Sequence, residues 1–393
     1  MKPLTGVRVI DLTQILSGPF ATQILADLGA EVIKIEPLWG DKARQNGPEK
    51  VGRSTYFASL NRGKKSVAVD LKNPRGREIV SGLASAADVL VENFRPGVMD
   101  RLGLGYNALR NQHPRLIYAA CSGFGRGNGH SGRPALDIVI QAMAGTMSLT
   151  GTSDGEPVKV GFSVGDVGAG LYLALGIMAA LQGRHVTGQG CLVDISMLES
   201  QAALLENAFA RYFATAEVPG PLGSRHAVMA PFQAFRTLDG YLVVAVSTQA
   251  HWQKLCDVLD LPELAADQNL ATSEGRVMNR TQWEPVLNER FLEQPTQVWL
   301  ESLSQANIPA GPINTVAQAS REPALAERDL FIDVNYAGVP FRVVGTPMIF
   351  DQARPVANGQ VPDLGEHTKE VLRAVLNLGP EDIAALYDVG AIR

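Results

Sequence analysis

The chain has 393 residues, of which 46% are hydrophobic and 19% are charged, with 39 Gly and 23 Pro. This length exceeds one ordinary hydrophobic core and the composition is typical of a folded, loop-rich protein, so a disordered chain is excluded and two domains are expected. The formal net charge of −5 shows no basic excess, which argues against a nucleic-acid-binding protein.

The cysteines and histidines predict neither a disulfide framework nor a metal site. The three cysteines are far apart and odd in number, and the six histidines never occur in a metal-binding spacing. Residues 1–12 lead directly into strand-like sequence, without the apolar region of a secretory signal. We therefore expect a cytoplasmic protein that holds no metal.

The first 120 residues alternate between predicted strands and helices, a pattern typical of an α/β fold with a doubly wound, Rossmann-like parallel sheet. Ligands of such sheets bind beyond the carboxyl ends of the strands, so the loops after Leu12, Glu36, Leu71 and Glu92 are expected to carry the binding groups. The predicted strands are residues 7–12, 30–36, 66–71, 88–92 and 115–120, and the predicted helices are residues 18–29 and a helix that opens near Pro74.

Residues 121–137 (CSGFGRGNGHSGRPALD) form a predicted glycine-rich loop. The loop is either a structural crossover or a mobile lid that shields a reactive intermediate from water. It does not predict a dinucleotide site, because that fingerprint must lie between the first strand and its helix, where this chain reads TQILSGP.

Asp166 precedes a predicted apolar helix at residues 167–181 and lies among small residues, in FSVGDVGAG. The apolar stretch is shorter than the roughly 20 residues that cross a bilayer, so we expect a buried core helix and no membrane span. Local sequence leaves two roles for Asp166. Its carboxylate either caps the helix, or stays ionised near the helix dipole as a covalent nucleophile that glycine-rich backbone leaves open to a bulky substrate.

The predicted domains are a large one at residues 1–213, a linker at 214–224, a small α+β domain at 225–325, and a return to the large domain at 326–393. The predicted elements beyond the linker are a hairpin at 233–246 with its turn at Asp239-Gly240, helices near 250–258, 280–292 and 295–306, a segment at 341–350, and a final helix at 366–377.

Motifs along nearly the whole chain, in their order and spacing, resemble the class III coenzyme A transferases, also called the CaiB/BaiF family. The resemblance implies an interlocked homodimer, with acyl-CoA and small carboxylic acids as substrates and no permanently bound cofactor. The motifs are LTGVRVIDLTQILSGPF, NRGKKSVAVDL, DVLVENFRPGVMDRLGLGY, PRLIYAACSGFG, TGQGCLVDISMLES, PFQAFRTLDGYLVVAV, IPAGPINTV and LGEHT.

The resemblance also assigns residues. In that family the carboxylate matching Asp166 is the nucleophile, which passes through an aspartyl anhydride and an aspartyl-CoA thioester. Such intermediates must be shielded from water, so the glycine-rich loop is expected to form part of a cover. Matches to positions that contact coenzyme A are Ile15, Leu16, Ser17, Asn93 and Phe94, and further matches for its phosphates and pantetheine are Lys64, Lys65 and Arg101.

Two departures from related enzymes bear on the reaction. Racemases of this family have a His-Asp pair where this chain has Leu136-Asp137, and Leu136 cannot act as the base near the substrate's α-carbon. A racemase-type isomerase therefore stands behind the transferase as an alternative, as does an acyl-CoA-binding protein without activity. Asp137 is expected either to orient substrate or to cap the helix that follows it.

The second departure is the loss of the tetraglycine run of formyl-CoA transferase, where this chain reads LGSRHAVMAPFQ. This puts formyl-CoA and oxalate in doubt. The segment looks more like the branch that transfers coenzyme A from succinyl-CoA to glutarate, itaconate or mesaconate. A second carboxylate needs a cationic partner, and Arg225 and His226 are the candidates.

Overall fold

A computed structural model describes all residues from Met1 to Arg393, and the chain folds into two compact units. Unit 1 consists of Met1–Thr146, Lys159–Thr215 and Ala324–Arg393, and unit 2 consists of Met147–Val158 and Ala216–Pro323. The short segment Met147–Val158, which the sequence placed in the large domain, thus groups with unit 2.

The strands in chain order are β1 (Arg8–Asp11), β2 (Glu31–Glu36), β3 (Glu49–Lys50), β4 (Arg53–Ser54), β5 (Lys65–Ala68), β6 (Val89–Glu92), β7 (Ile117–Ser122), β8 (Leu192–Ser196), β9 (Phe232–Arg236), β10 (Tyr241–Ala245), β11 (Ala310–Pro312), β12 (Phe331–Tyr336), β13 (Val339–Val344) and β14 (Gln360–Val361).

The helices in chain order are α1 (Ser17–Asp27), α2 (Thr55–Asn61), α3 (Pro74–Ser85), α4 (Val98–Arg101), α5 (Tyr106–Gln112), α6 (Asp137–Met143), α7 (Thr146–Leu149), α8 (Val164–Thr187), α9 (Met197–Leu204), α10 (Glu206–Thr215), α11 (Gln249–Val258), α12 (Pro262–Ala266), α13 (Ser273–Met278), α14 (Arg280–Phe291), α15 (Thr296–Gln305), α16 (Val316–Ala319), α17 (Pro323–Ala326), α18 (Thr368–Leu376) and α19 (Pro380–Asp388).

Unit 1 is built on a six-stranded parallel sheet with the order β5-β2-β1-β6-β7-β8. Successive residues of a strand point to opposite faces, so each strand supplies two cores. Ile10 and Leu90 pack with residues of α3, α18 and α19 on one face, while Val9 and Val89 pack with residues of α1 and α8 on the other. A sheet buried on both faces explains why its strands read as continuous apolar runs.

Buried ion pairs hold the loops that follow β1 and β2. The Lys34 ammonium donates to the carbonyl of Thr13 at 2.8 Å and pairs with Asp41 at 2.9 Å. Glu36, at the end of β2, pairs with Arg44 at 2.7 Å. Paired and hydrogen-bonded charges of this kind fix backbone geometry, because breaking one would leave the other buried without a partner. Both loops are therefore held at the carboxyl edge of the sheet.

Helix α8 has 24 residues and is longer than the predicted segment at 167–181. It buries Leu173 and Ile177 in the core of unit 1 but exposes Leu171 and Leu175. By length and composition alone α8 could cross a membrane, although 44% of its most apolar 18-residue stretch is buried within the chain. The prediction that this helix is too short to cross a bilayer is therefore wrong.

Unit 2 contains an antiparallel sheet with the order β11-β10-β9, and the predicted hairpin is confirmed as β9 and β10. The Thr237 amide bonds the carbonyl of Gly240 to close the turn. Trp252, Trp283 and Phe291, from α11 and α14, fill the core beneath the sheet. The predicted helices at 250–258, 280–292 and 295–306 correspond to α11, α14 and α15.

The C-terminal residues of unit 1 contain structure that the sequence did not predict. Strands β12 and β13 form a hairpin whose turn residues Ala337 and Gly338 both have positive φ, at 50° and 83°. This is the backbone that tight hairpin turns require. The predicted segment at 341–350 is thus strand only up to Val344, and a further helix, α19, follows the predicted final helix.

Candidate active site

A cleft opens at the carboxyl ends of β1, β6 and β7 in unit 1. This is the edge at which parallel α/β sheets bind ligands. We call it the first cleft. Its walls come from the loop after β1, the loop after β6, the glycine-rich loop after β7 and the start of α8, and its lining includes Ile15, Leu16, Ser17, Asn93, Phe94 and Asp166.

Asp166 lies in the first turn of α8 but does not cap it. Ser163 occupies the N-cap position and its side chain makes no capping hydrogen bond, so the capping role considered for Asp166 is wrong. Burial and the nearby charge of Asp137 raise the pKa of Asp166 to about 6, while a hydrogen bond from the Ser17 hydroxyl opposes the shift. The carboxylate thus faces the cleft with a single neutral hydrogen-bond partner of its own.

Asp137 supplies the missing cap of α8. Its Oδ1 accepts hydrogen bonds from the backbone amides of Gly165, at 2.8 Å, and Asp166, at 3.4 Å, and its Oδ2 accepts from Gln141 at 2.7 Å. Asp137 is the first residue of α6, and the N-cap of that helix, Leu136, makes no side-chain hydrogen bond. The expectation that Asp137 caps the following helix is therefore wrong, because its carboxylate caps α8 instead.

Glycines around Asp166 allow neighbouring groups to approach. A Cβ on Gly165 would lie 3.0 Å from the Asp137 carboxylate, and a Cβ on Gly170 would lie 2.6 Å from the carbonyl oxygen of Ser17. The second distance is too short for any real side chain, so α1 and α8 meet only because residue 170 is glycine. The small residues thus bring Ser17 and Asp137 to Asp166.

Ile15 has a φ of 68°, which is rare for a β-branched residue. Its amide donates to Asp41 at 3.2 Å. The Asn93 side chain both accepts from the amide of Gln14 and donates to its carbonyl, each at 2.9 Å. Such strain persists only where surrounding contacts over-determine the backbone. Asn93 therefore acts on the wall of the first cleft by clamping the loop after β1.

Phe94 is held by a buried charge network behind the cleft wall. Glu92 accepts from the amide of Phe94 at 2.8 Å and pairs with Arg126 of the glycine-rich loop at 3.0 Å. Burial raises the pKa of Glu92 to about 7 despite the Arg126 guanidinium. The same carboxylate thus ties two walls of the first cleft together, a role that sequence reasoning missed.

Lys64 and Lys65 do not line the cleft, contrary to the prediction that they contact coenzyme A. The Lys64 ammonium is fully buried, pairs with Asp11 at 3.1 Å and donates to Thr22 at 2.8 Å. Lys65 begins β5 at the amino edge of the sheet and pairs with Glu31 and Glu370. Neither ammonium is therefore free to contact coenzyme A at the carboxyl edge of the sheet.

A second cleft adjoins the first and shares Gln14 and Phe94 with it. Its lining is mainly apolar, with the exposed indole of Trp39 at the opening. Lys42 and Lys72 also line it, and neither ammonium is paired with a carboxylate. Arg101 is exposed at the end of α4 and lines neither cleft. Lys42 and Lys72 follow β2 and β5, and only their position after predicted strands could have identified them.

Two exposed arginines line the first cleft together with Asp166. Arg133 lies on the glycine-rich loop, with its guanidinium 5.0 Å from the centre of the Phe124 ring. Arg95 follows Phe94. Neither is paired with a carboxylate, in contrast to Arg126. These are cations beside the candidate nucleophile, and sequence reasoning did not single out Arg133.

Arg225 and His226 belong to unit 2, where both have partners. The Arg225 guanidinium pairs with Glu284 at 2.7 Å. The His226 ring lies 5.1 Å from that of Phe232 at an angle of 49°, and its Nδ1 accepts from the amides of Val228 and Met229. Their assignment to a substrate carboxylate stays a prediction, and the pairing of Arg225 argues against it because a substrate would have to displace Glu284.

The family model described as CoA-transferase family III matches residues 4–368 of the chain. The chain is 40% identical over 395 residues to the mouse protein named succinyl-CoA:glutarate CoA-transferase, covering 100% of this chain and 88% of the relative. It is 41% identical over 348 residues to acetyl-CoA:oxalate CoA-transferase of Acetobacter aceti, covering 87% and 90%.

A solved structure extends the comparison to the fold. The chain superimposes on a CaiB/BaiF family protein from Brucella suis with a TM-score of 0.85 at 37% identity, covering 95% of this chain and 99% of that one. The mixed α/β architecture, with its large parallel sheet and smaller antiparallel sheet, is thus common to both.

Proposed function

The chain belongs to CoA-transferase family III, and from that premise we propose that it transfers coenzyme A from succinyl-CoA to a dicarboxylic acid with Asp166 as the covalent nucleophile. The observation that carries this proposal is the half-buried Asp166 carboxylate in the first cleft, which is not paired with any cation. An ionised carboxylate without a paired cation keeps its nucleophilic electron pairs available.

The reaction proceeds in four attacks. The Asp166 carboxylate attacks the thioester carbonyl, and the C–S bond breaks to give an aspartyl anhydride and CoA thiolate. The thiolate attacks the Asp166 carbonyl, releases the donor acid and forms an aspartyl-CoA thioester. The acceptor carboxylate then attacks this thioester, which breaks the C–S bond, expels CoA thiolate and forms a second anhydride. The thiolate attacks the acceptor's carbonyl in that anhydride, which forms the new acyl-CoA and restores the Asp166 carboxylate.

Coenzyme A would span both clefts. In this arrangement the adenine ring lies in the apolar second cleft near Trp39, and the phosphates meet Lys42 and Lys72. The pantetheine then passes Gln14 and Phe94, which border both clefts, and brings the thioester to Asp166. An aromatic ring with adjacent free ammonium groups suits a nucleotide and its phosphates.

The acceptor is proposed to be a dicarboxylate. Arg95 and Arg133 line the first cleft without carboxylate partners, so one of them can receive the carboxylate that does not react. Glutarate, itaconate and mesaconate are the first acceptors to compare. Oxalate is also to be compared as an acceptor, because a relative of 41% identity is named acetyl-CoA:oxalate CoA-transferase.

The test is mass spectrometry of the intact protein mixed with succinyl-CoA. We expect a mass increase equal to coenzyme A minus water on the peptide that contains Asp166. Asp166→Ala should form no adduct and lose transferase activity by roughly a thousandfold or more. Asp388→Ala, which changes an exposed aspartate of α19, is the matched control and should behave as wild type.

If wild type formed no adduct with succinyl-, glutaryl- or acetyl-CoA, the proposal would be wrong. If the protein then exchanged the α-proton of a 2-methylacyl-CoA with deuterium, the racemase-type isomerase would replace it. Leu136 argues against that outcome, because its side chain lines the first cleft and cannot remove a proton.

A homodimer is part of the proposal. Helix α10 buries none of its side chains within the chain and exposes Phe209, Tyr212 and Phe213. Leu171 and Leu175 of α8 are also exposed, at 46% and 58%. Exposed aromatic and leucine side chains of this kind on one unit are typical of a protein interface, and a second copy of the chain would cover them.

A further inference from the structure

Two carboxylates meet at the amino end of α8, and only one of them is the nucleophile. The Asp137 carboxylate is fixed by three N–H donors, from Gly165, Asp166 and Gln141. Gln141 is itself fixed, because its side-chain oxygen accepts from the amide of Val160 at 2.9 Å. Asp137 therefore cannot swing away from Asp166 without breaking the cap of α8.

No cation is paired with Asp166 to cancel the repulsion between the two carboxylates. The groups that face it are Asp137 from α6, the Ser17 hydroxyl from α1, Tyr56 from α2 and the buried Cys121 from β7. Arg95 and Arg133 line the same cleft, but neither forms a salt bridge with Asp166. Within the protein, Asp166 is thus a negative charge held beside another negative charge.

We propose that Asp137 is a positioning residue whose fixed negative charge disfavours the ionised resting form of Asp166 and thereby favours the covalent aspartyl-CoA thioester. The inference rests on the proposed function, since it requires Asp166 to be the nucleophile. It gives Asp137 a second task beside capping α8.

The charge balance of the reaction supplies the reason. In the resting enzyme Asp166 carries a negative charge beside Asp137. Formation of the thioester moves that charge to the departing donor carboxylate, and residue 166 becomes neutral without any proton transfer. The repulsion is therefore present before the reaction and absent afterwards, which shifts the equilibrium toward the thioester. The raised pKa of Asp166, to about 6, reports the same repulsion together with the larger effect of burial.

The test compares Asp137→Asn with wild type in two measurements. The first is the equilibrium constant for thioester formation, from quenched samples with known succinyl-CoA and succinate analysed by mass spectrometry. The second is the pH dependence of the rate of thioester formation. Asn keeps an oxygen that can accept from the Gly165 amide but removes the charge.

For Asp137→Asn we expect the equilibrium constant to fall by about tenfold, which corresponds to a change of about one pKa unit at Asp166. The acid limb of the pH profile should move to lower pH, because Asp166 stays ionised in more acidic solution when the neighbouring charge is gone. A change that merely loosened α8 would lower the rate without moving the limb in that direction.

Asp388→Asn is the matched control, since it removes the charge of an exposed aspartate of α19. Its pH limb should coincide with that of wild type. Asp137→Ser, whose uncharged hydroxyl can also accept a hydrogen bond, repeats the test if the Asn variant does not fold. A wild-type equilibrium constant and pH limb in a folded, uncharged variant would overturn this inference alone, whereas a wild-type enzyme without any thioester would overturn the proposed function.

Discussion

At the residue scale, the charged groups divide into those that hold the loops and those that remain open to ligands. Asp11 and Lys64 belong to the first class, because both are fully buried and paired. Although burial alone would raise the pKa of Asp11, the ammonium groups of Lys64 and Lys34 hold it well below the usual range. Lys42 and Lys72 belong to the second class, as exposed, unpaired residues of the second cleft.

This division predicts which lysines affect coenzyme A binding. Lys72→Ala should weaken coenzyme A binding by about 1 kcal/mol, or about fivefold in Kd, because a charge-assisted contact with a phosphate is lost. Its affinity for an acyl-pantetheine, which lacks the nucleotide, should stay that of wild type. Isothermal titration calorimetry with both ligands measures the difference.

Lys65→Ala is the control for this experiment, since Lys65 pairs with Glu31 and Glu370 at the other edge of the sheet. It should bind coenzyme A as wild type does. Equal losses in both variants, or a loss with acyl-pantetheine as well, would contradict the placement of the nucleotide in the second cleft.

At the element scale, the loops at the carboxyl ends of the strands are fixed by side chains from other loops. Asn93 after β6 clamps Gln14 after β1, and Asp41 after β2 bonds the amide of Ile15. Glu92 at the end of β6 joins Phe94 to Arg126 of the glycine-rich loop. The glycine-rich loop is therefore tied to the cleft at its start, and residues beyond Arg126 are the part that can cover an intermediate.

The buried Glu92 predicts a pH dependence of stability. Burial raises its pKa from 4.5 to about 7, so its contribution to the stability of the folded state is fully present below about pH 4.5 and is lost as the pH rises through 7. Over that window wild type should lose on the order of 2–3 kcal/mol relative to Glu92→Gln, which has no charge to bury.

Thermal unfolding of wild type and Glu92→Gln from pH 5 to pH 8 measures this effect. The unfolding temperature of the variant minus that of wild type should increase as the pH rises. Glu381→Gln changes an exposed glutamate of α19 and should track wild type at every pH. A constant difference between Glu92→Gln and wild type would show that Glu92 does not titrate in this range.

At the scale of the whole molecule, the exposed apolar side chains of α8 and α10 predict association of two chains. Wild type should have a mass in solution of twice the 42.1 kDa of one chain. Leu175→Asp places a charge on the exposed face of α8 and should shift the protein toward monomers. Size-exclusion chromatography with multi-angle light scattering distinguishes the two states.

Leu238→Asp is the matched control, because Leu238 is 65% exposed but lies at the hairpin turn of unit 2. It should leave the mass in solution unchanged. A wild-type protein that elutes as a monomer at micromolar concentration would contradict the homodimer.

The sequence by itself determined the features that depend on neighbouring residues and on motif order. Apolar strands alternating with helices predicted the parallel sheet, and its carboxyl edge indicated where the cleft would lie. The order of the motifs led to the family and, through it, to Asp166 as the candidate nucleophile. Local patterns suffice here because strand and helix periods repeat within a few residues.

Only the tertiary structure decided which charged groups meet. Lys64 pairs with Asp11, which is 53 residues away in the sequence, and Asp137 accepts a hydrogen bond from the amide of Gly165, which is 28 residues away. The sequence therefore misassigned Lys64 to the ligand, and the cap that it considered for Asp137 was on the wrong helix. The physical reason is that the partner of a buried charge is set by packing between distant elements, since desolvation forces each such charge to take whatever donor or acceptor the fold brings to it.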